Sequence, residues 1–203
     1  MQTIKLDEYR LRYPEINRAF WYAVKAHRGQ TRKDGVTPFI EHPIEVAEIV
    51  GSMTKDSRVI AAALLHDVVE DTPVKVQDLI RVFGVFIADL VADETENKRP
   101  NLPPEETWEM RKKETIVKVA SADRNVKIIS LADKLSNLRS LKQALLTNGD
   151  SVWTWFHESD PQKQAWFYRT MKNQYIGLKS TAAWKQYDHL LIEVFGEKTE
   201  RAK

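Results

Sequence analysis

Apolar residues recur at helical spacing along almost the whole chain, in segments that sparse glycines and prolines separate. The first segment follows Pro14 and ends at Gly29, with apolar residues at the i, i+3, i+4, i+7 and i+8 positions of one helix face. Further segments with this pattern cover residues 43–50, 58–71, 76–83, 86–91, 108–120, 123–145, 162–178 and 182–195. No run alternates apolar and polar residues for long enough to indicate a strand. The pattern therefore predicts an all-α fold.

Two segments lack this periodicity and are predicted to be loops. Residues 28–42 contain two glycines and no repeating apolar position. Residues 93–107 combine three prolines with many charged side chains, which favours a long mobile loop.

The length of 203 residues is that of one domain and is sufficient to bury a core without disulfides or a structural metal. We expect a single helical domain over residues 1–196, with the chemical motifs within 16–140 and a further helical part at 141–196. Residues 197–203 are expected to form a frayed tail.

Composition and charge exclude several classes of protein. There is no cysteine, which removes disulfides, thiolate nucleophiles and cysteine-ligated metals. With 31 basic and 29 acidic residues, the net charge of +2 argues against a nucleic-acid-coating protein. The first ten residues do not resemble a signal peptide, and no apolar run reaches 18 residues. We therefore expect a cytoplasmic protein with neither nucleic acid nor a membrane as its partner.

The segment Ala61–Asp71 carries the strongest chemical signal. Its first half is so apolar that the helix should be buried nearly all round, and four ionisable residues follow within six positions: His66, Asp67, Glu70 and Asp71. Burying three carboxylates together is costly unless a cation or several donors compensate them. A divalent metal accepts both imidazole and carboxylate ligands and would neutralise the charge. The alternative is an exposed acidic helix end, with His66 a hydrogen-bonded core histidine.

Two distant residues are candidates to complete such a site. His42 precedes Pro43, and a residue before proline is held extended, which would fix the direction of its side chain. Asp133 interrupts an otherwise apolar helix face. The alternative for Asp133 is a buried ion pair with Arg124 or Lys134.

Three motifs together resemble a known family: AHRGQTRKDGVTPFIEHP, ALLHDVVEDT and LADKLSNLR. In this order they are similar to the hydrolase domain of RelA/SpoT-type alarmone enzymes, and most similar to the stand-alone small alarmone hydrolases. These are HD-domain metal-dependent phosphohydrolases. The resemblance implies an all-helical fold, a bound Mn²⁺ ion, and hydrolysis of the 3′-diphosphate of (p)ppGpp to GDP or GTP plus pyrophosphate.

The resemblance also implies a role for each residue that matches a motif. The metal ligands would be His42, His66, Asp67 and Asp133, and the catalytic pair that handles the attacking water would be Glu70 and Asp71. Substrate contacts are expected from Arg32, Lys33, Asn137 and an aromatic residue of the last third, for which Tyr168 is the candidate and Phe167 fits nearly as well. One departure concerns Ser130, which stands where the family commonly has lysine.

Other functions remain open at this point. The same chemistry on another nucleotide, such as an adenosine alarmone or a 2′-phosphorylated nucleotide, is kept open by Ser130. A non-catalytic alarmone-binding module is disfavoured by the intact Glu70–Asp71 pair, because binding alone needs no water activator. A helical nucleic-acid-binding protein rests only on an isoelectric point of about 8.7 and six tryptophans. The sequence leaves open whether the protein is a homo-oligomer.

Overall fold

Helices dominate the computed structural model, which describes residues 5–197. The α-helices of this range are α1 (Leu6–Arg12), α2 (Pro14–Ala26), α3 (Glu41–Met53), α4 (Ser57–Leu65), α5 (Val68–Asp71), α6 (Val76–Phe83), α7 (Val85–Glu94), α8 (Pro104–Ser121), α9 (Arg124–Asn148), α10 (Pro161–Gln174) and α11 (Ala182–Phe195). Two 3₁₀ turns cover Gly149–Trp155 and Ile176–Leu178. Within residues 5–197 the only β-type pairing is an isolated bridge between Thr31 and Pro38. The predicted all-α fold is confirmed.

Helix α4 forms the centre of the core. Every residue from Val59 to Leu65 is fully buried, as the apolar run predicts. Helices α2, α3, α7 and α9 pack around it. Asp56 caps its first turn by accepting a hydrogen bond from Arg58 N at 3.0 Å.

Helix α9, with 25 residues, is the longest helix of the described chain. Asp123 caps its start by accepting from the backbone amides of Asn125 and Val126. Its apolar side packs against α3, α7, α8 and α11, and its last turns contact the first 3₁₀ turn. Gly149 ends the helix with φ +59°, a conformation that favours glycine. The chain therefore turns back beside the helix that it has just left.

The structure corrects two local predictions around the motif histidines. The segment 58–71 is not one helix, because His66 and Asp67 form a turn between α4 and α5. His66 Nδ1 lies 2.8 Å from Ala63 O, the carbonyl that residue 67 would bond in a continued α-helix. His42 is not extended but lies in the first turn of α3. Pro43 is tolerated there because amides in the first turn have no helical partner.

Both predicted loops are present in the described chain, with shifted bounds. Residues 27–40 form a tight reversal in which Asp34 accepts hydrogen bonds from the amides of Val36 and Thr37, both at 2.9 Å. The second loop is shorter than predicted, because α7 runs through Glu94 and α8 begins at Pro104.

Two further predictions concern the C-terminal tail and membrane-spanning segments. Of the predicted tail, residues 198–203 lie outside the described range. Among the helices described, none is both long and apolar enough to span a bilayer.

Candidate active site

Two histidines and two aspartates from three separate places in the fold converge on one point. His42 comes from the start of α3, His66 and Asp67 from the turn after α4, and Asp133 from the middle of α9. One ligand atom each from His42, His66 and Asp133 lies within 4.8 Å of the others. The Oδ2 atom of Asp67 is 3.1 Å from His66 Nε2 and 3.5 Å from His42 Nε2. His42, His66 and Asp133 therefore form one close group, and Asp67, the fourth sequence-predicted ligand, adjoins it through both histidines.

The hydrogen bonds of the two imidazoles leave both Nε2 atoms directed at this point. His66 Nδ1 is bonded to a carbonyl, and His42 Nδ1 lies 2.9 Å from Ser136 Oγ. The Ser136 hydroxyl donates to Glu45 Oε2 at 2.6 Å, so it accepts from His42 Nδ1–H. His66 Nε2 is buried and makes no hydrogen bond of acceptable geometry within the described chain. Two imidazole lone pairs beside two carboxylates suit a divalent cation.

We expect Ser136→Ala to weaken divalent cation binding by about 10-fold or more, because partners that orient a ligating histidine are typically worth 10–100-fold. The variant removes the acceptor that fixes the tautomer of His42. Isothermal titration with Mn²⁺ measures the change. Ser140→Ala, one turn further along α9 and exposed, is the matched control; equal affinities in the two variants would contradict the role of Ser136.

Asp133 connects the ligand cluster to the reversal at 27–40. Its Oδ1 atom is 3.1 Å from His42 Nε2 and accepts from Asn137 Nδ2 at 2.6 Å. Asn137 Oδ1 in turn accepts from Arg32 at 2.9 Å. The other carboxylate oxygen of Asp133 pairs with Lys134. Asp133 therefore forms the ion pair considered as its alternative role and also lies beside the histidines. Arg124 bonds elsewhere, to Gly177 O.

Glu70 and Asp71, on the short helix α5, lie beside this cluster and share a cation. Lys98, from the loop before α8, pairs with Asp71 and approaches Glu70 Oε1 at 3.3 Å. Glu70 Oε2 accepts the amide of Glu96 at 2.9 Å. Burial, reinforced by the charge of Asp67, raises the pKa of Glu70. A carboxyl whose pKa is raised toward neutrality is suited to accept a proton from water.

A partly buried chain of hydrogen bonds holds α5 in place. The Asp71 carbonyl accepts from Gln30 Nε2 at 2.9 Å, and Gln30 Oε1 lies 2.8 Å from His27 Nδ1. The His27 ring stacks on Phe39 with a centroid distance of 4.6 Å. His27, Gln30 and Phe39 are therefore structural supports of the site.

The cluster opens into a cavity of about 1060 Å³ whose lining contains charged side chains of both signs. Seven basic residues border it: Arg32, Lys33, Lys98, Arg111, Lys112, Lys134 and Arg139. Arg32 and Lys33 are the two that the motifs predict to contact substrate. Arg111, Lys112 and Lys113 follow the proline-rich loop and resemble, in the sequence, a solvated helix face. Arg111 and Lys112 line the cavity, whereas Lys113 pairs with Glu109 on the surface.

The C-terminal third contributes aromatic side chains to the same cavity. Tyr168 and Phe167 both line it, and Lys112 Nζ lies 5.0 Å from the centroid of Phe167. Burial raises the pKa of Tyr168 to about 12, so its hydroxyl is protonated at neutral pH. Ser130 is buried against Tyr175, with 3.0 Å between the hydroxyls, and is not part of the lining.

Glu94, at the end of α7, is a further carboxyl that sequence analysis missed. It lines the cavity, and its Oε1 atom is buried without a hydrogen-bond partner in the described chain. Burial raises its pKa to about 7, although the charge of Lys134 opposes the shift. Only its position at the end of an apolar helix could have indicated this environment.

We expect the stability of the metal-free protein to fall as pH rises from about 4.5 to 7, because native Glu94 holds a proton that the unfolded chain has lost. Glu94→Gln abolishes this penalty. The gain in unfolding free energy from the substitution should be greater at pH 8 than at pH 5, by up to about 3 kcal/mol. Denaturant unfolding at the two pH values measures it, with exposed Glu106→Gln as control. If Glu94→Gln gave the same gain in unfolding free energy at both pH values, native Glu94 would not hold the extra proton.

Sequence relatives share the region that contains the motifs. An HD domain family model matches residues 19–156. The chain is 37% identical over 126 residues to the GTP pyrophosphokinase rsh of Brucella melitensis biotype 1, a match that covers 62% of this chain and 17% of that protein. It is 36% identical over 126 residues to the bifunctional (p)ppGpp synthase/hydrolase SpoT of Escherichia coli K12, covering 62% and 18%. The matches thus span less than a fifth of these curated relatives.

Two solved structures have the same fold and are covered almost completely by this chain. The protein lmo0812 from Listeria monocytogenes EGD-e superposes with a TM-score of 0.67 at 36% identity, covering 77% of this chain and 99% of that one. A metazoan ortholog of SpoT that hydrolyzes ppGpp superposes with a TM-score of 0.69 at 29% identity, covering 91% and 98%. Since the family model matches well over half of an all-α chain, the protein belongs to the HD domain family.

Proposed function

We propose that this protein hydrolyses the 3′-diphosphate of (p)ppGpp, releasing pyrophosphate and GDP or GTP, with Mn²⁺ as its cofactor. The observation that carries the proposal is the convergence of two histidine Nε2 atoms and two aspartates beside a carboxyl pair, in a cavity that seven basic residues also line. The metazoan SpoT ortholog that hydrolyzes ppGpp, whose structure matches 91% of this chain, supports the choice of substrate.

In this proposal His42, His66, Asp67 and Asp133 hold the ion. Four nitrogen and oxygen ligands leave about two positions of an octahedral ion for other groups. When bound, such an ion supplies Lewis-acid activation of a phosphate oxygen and of water. Histidine and carboxylate ligands are compatible with Mn²⁺, and the resemblance to the alarmone hydrolases favours it.

Glu70 is the general base of the proposed reaction. A water oxygen forms a bond to the phosphorus that carries the 3′ oxygen, and the water gives a proton to Glu70. The bond between that phosphorus and the 3′ oxygen breaks, and the 3′ oxygen gains a proton. Asp71 keeps Lys98 beside the reacting groups through their ion pair.

The substrate phosphates face the cationic part of the cavity in this proposal. Arg32 offers a planar fork that its hydrogen bond to Asn137 already orients. Lys33 and Lys112 add point charges, and Tyr168 and Phe167 offer aromatic surface for the nucleoside. Because Ser130 lies outside the lining, it gives no specific support to a different nucleotide. As part of the same proposal, the partner is a small-molecule nucleotide and the protein acts in the cytoplasm.

The test is incubation of the purified protein with ppGpp and Mn²⁺, with the products separated by chromatography. We expect equimolar GDP and pyrophosphate, and no turnover after chelation of the metal. A parallel panel of adenosine and 2′-phosphorylated nucleotides measures selectivity. Absence of pyrophosphate release while Mn²⁺ is shown to be bound would overturn the proposal, and tight ppGpp binding without turnover would favour a binding module.

A further inference from the structure

The first 3₁₀ turn, Gly149–Trp155, and the following Phe156 form an anchored wall of the cavity. Val152 and Trp153 are buried, and Trp153 packs on Phe195 with a centroid distance of 6.0 Å. Trp153 also contacts Phe156, at 6.3 Å. Phe156 is half-buried and lines the cavity. Its ring is therefore fixed by packing on the core side while one face remains available to a ligand or a neighbouring group.

Lys33, from the reversal at 27–40, places its ammonium on that ring. Its Nζ atom lies 4.0 Å from the centroid of Phe156, well inside the range of a cation–π contact. No carboxylate within residues 5–197 forms an ion pair with Lys33. The other three lysines of the lining are paired with carboxylates: Lys98 with Glu70 and Asp71, Lys112 with Glu96, and Lys134 with Asp133.

This difference determines what Lys33 can do. A carboxylate partner compensates the charge of a lysine and competes with an incoming phosphate. An aromatic ring attracts the ammonium without cancelling its charge, so the N–H donors stay available. Lys33 is thus the lysine of the lining that keeps an uncompensated charge at a fixed place.

We infer that Phe156 is a positioning residue for Lys33: its ring holds the ammonium at the mouth of the cavity, oriented toward an anionic phosphate of the ligand. The inference deepens the proposed function and rests on it for the identity of the substrate. It adds to the motif residues a contribution from the 3₁₀ turn, which none of the motifs includes.

The charges around Lys33 make this contact measurable. Partial desolvation and the nearby cations Lys112, Arg32 and Lys98 together lower the pKa of Lys33 to about 8, and Asp71 opposes this shift. His157, the residue after Phe156, is a further titratable group of the cavity lining. Because the ring favours the charged form of Lys33, its removal should lower this pKa again.

The experiment compares Phe156→Leu with Phe156→Tyr in the full chain. NMR of ¹³C-methylated lysines reports the titration of Lys33 without substrate. We expect Phe156→Leu to lower the pKa of Lys33 by about half a unit, and Phe156→Tyr to leave it near the wild-type value. Phe86→Leu is the control, since Phe86 contacts Arg58 at 4.3 Å in another cation–π pair and does not line the cavity.

Kinetics with ppGpp and Mn²⁺ provide the second readout. Phe156→Leu should raise KM by about threefold or more with little change in kcat. In the pH profile of kcat/KM, it should also lower the pKa of the alkaline limb by about half a unit. The effect should largely vanish in a Lys33→Met background. Equal behaviour of Phe156→Leu and Phe156→Tyr, or additive effects of Phe156→Leu and Lys33→Met, would overturn the inference. If the wild-type protein does not hydrolyse ppGpp, the proposed function fails, and the titration of Lys33 still decides this inference.

Discussion

Asp67→Ala is expected to abolish divalent cation binding and hydrolysis together. The Oδ2 atom of Asp67 is within 3.5 Å of both histidine Nε2 atoms, and no other carboxylate replaces it in the turn after α4. Loss of an orienting partner alone costs about 10–100-fold in metal affinity, so loss of a ligand should cost more than about 100-fold. Calorimetric titration with Mn²⁺ and a ppGpp assay measure the two effects.

The controls separate loss of the ion from loss of the fold. Asp89→Ala, exposed on α7, removes an aspartate that does not line the cavity. Circular dichroism should show that Asp67→Ala keeps the helical content of the wild type. A folded variant that binds Mn²⁺ with unchanged affinity would remove Asp67 from the ligand set.

Glu70→Ala should have the opposite signature: the ion remains bound and turnover is lost. Glu70 contacts Lys98 and the Glu96 amide rather than the histidines, so metal affinity should change only slightly. Loss of a general base typically lowers kcat by about 10²–10⁴-fold. Parallel measurement of Mn²⁺ affinity and of kcat at saturating metal tests both halves of this expectation.

The matched variant is Glu70→Gln, which keeps an oxygen for the Glu96 amide but cannot take a proton. It should be nearly as inactive as Glu70→Ala, because the role assigned to Glu70 is proton transfer rather than packing. Full turnover in both variants would transfer the role of base to Asp71. Recovery of activity in the glutamine variant alone would make Glu70 a structural support.

Sequence patterns were sufficient for most of the helical framework and for finding the four residues that lie together near His66. The apolar run before His66 required burial, and a buried His-Asp pair needs compensation, which pointed to His42 and Asp133 in other helices. Local geometry was less accessible: the break at His66 depends on a side-chain bond to Ala63 O. Likewise, the proline rule placed His42 in extended chain although it lies in the first turn of α3.

The supporting contacts were beyond the reach of local patterns because they join distant parts of the chain. Ser136 looks like any small residue on a helix until the fold brings its hydroxyl to His42, 94 positions away. Lys98 and Lys112 look like solvated lysines until α8 packs near the cavity. Phe156 carries no motif, and only the turn at Gly149 brings it to Lys33.

The histidine–aspartate cluster and the wall formed by residues 149–156 come from different parts of the polypeptide. The histidine–aspartate end is built by helices that also form the core, so most changes there would disturb folding as well as chemistry. The wall that contains Phe156 depends on a short turn attached to the end of α9. During divergence from a common ancestor, such a turn can change in sequence while the catalytic residues stay the same. Ligand preference can then change without a change in the reaction.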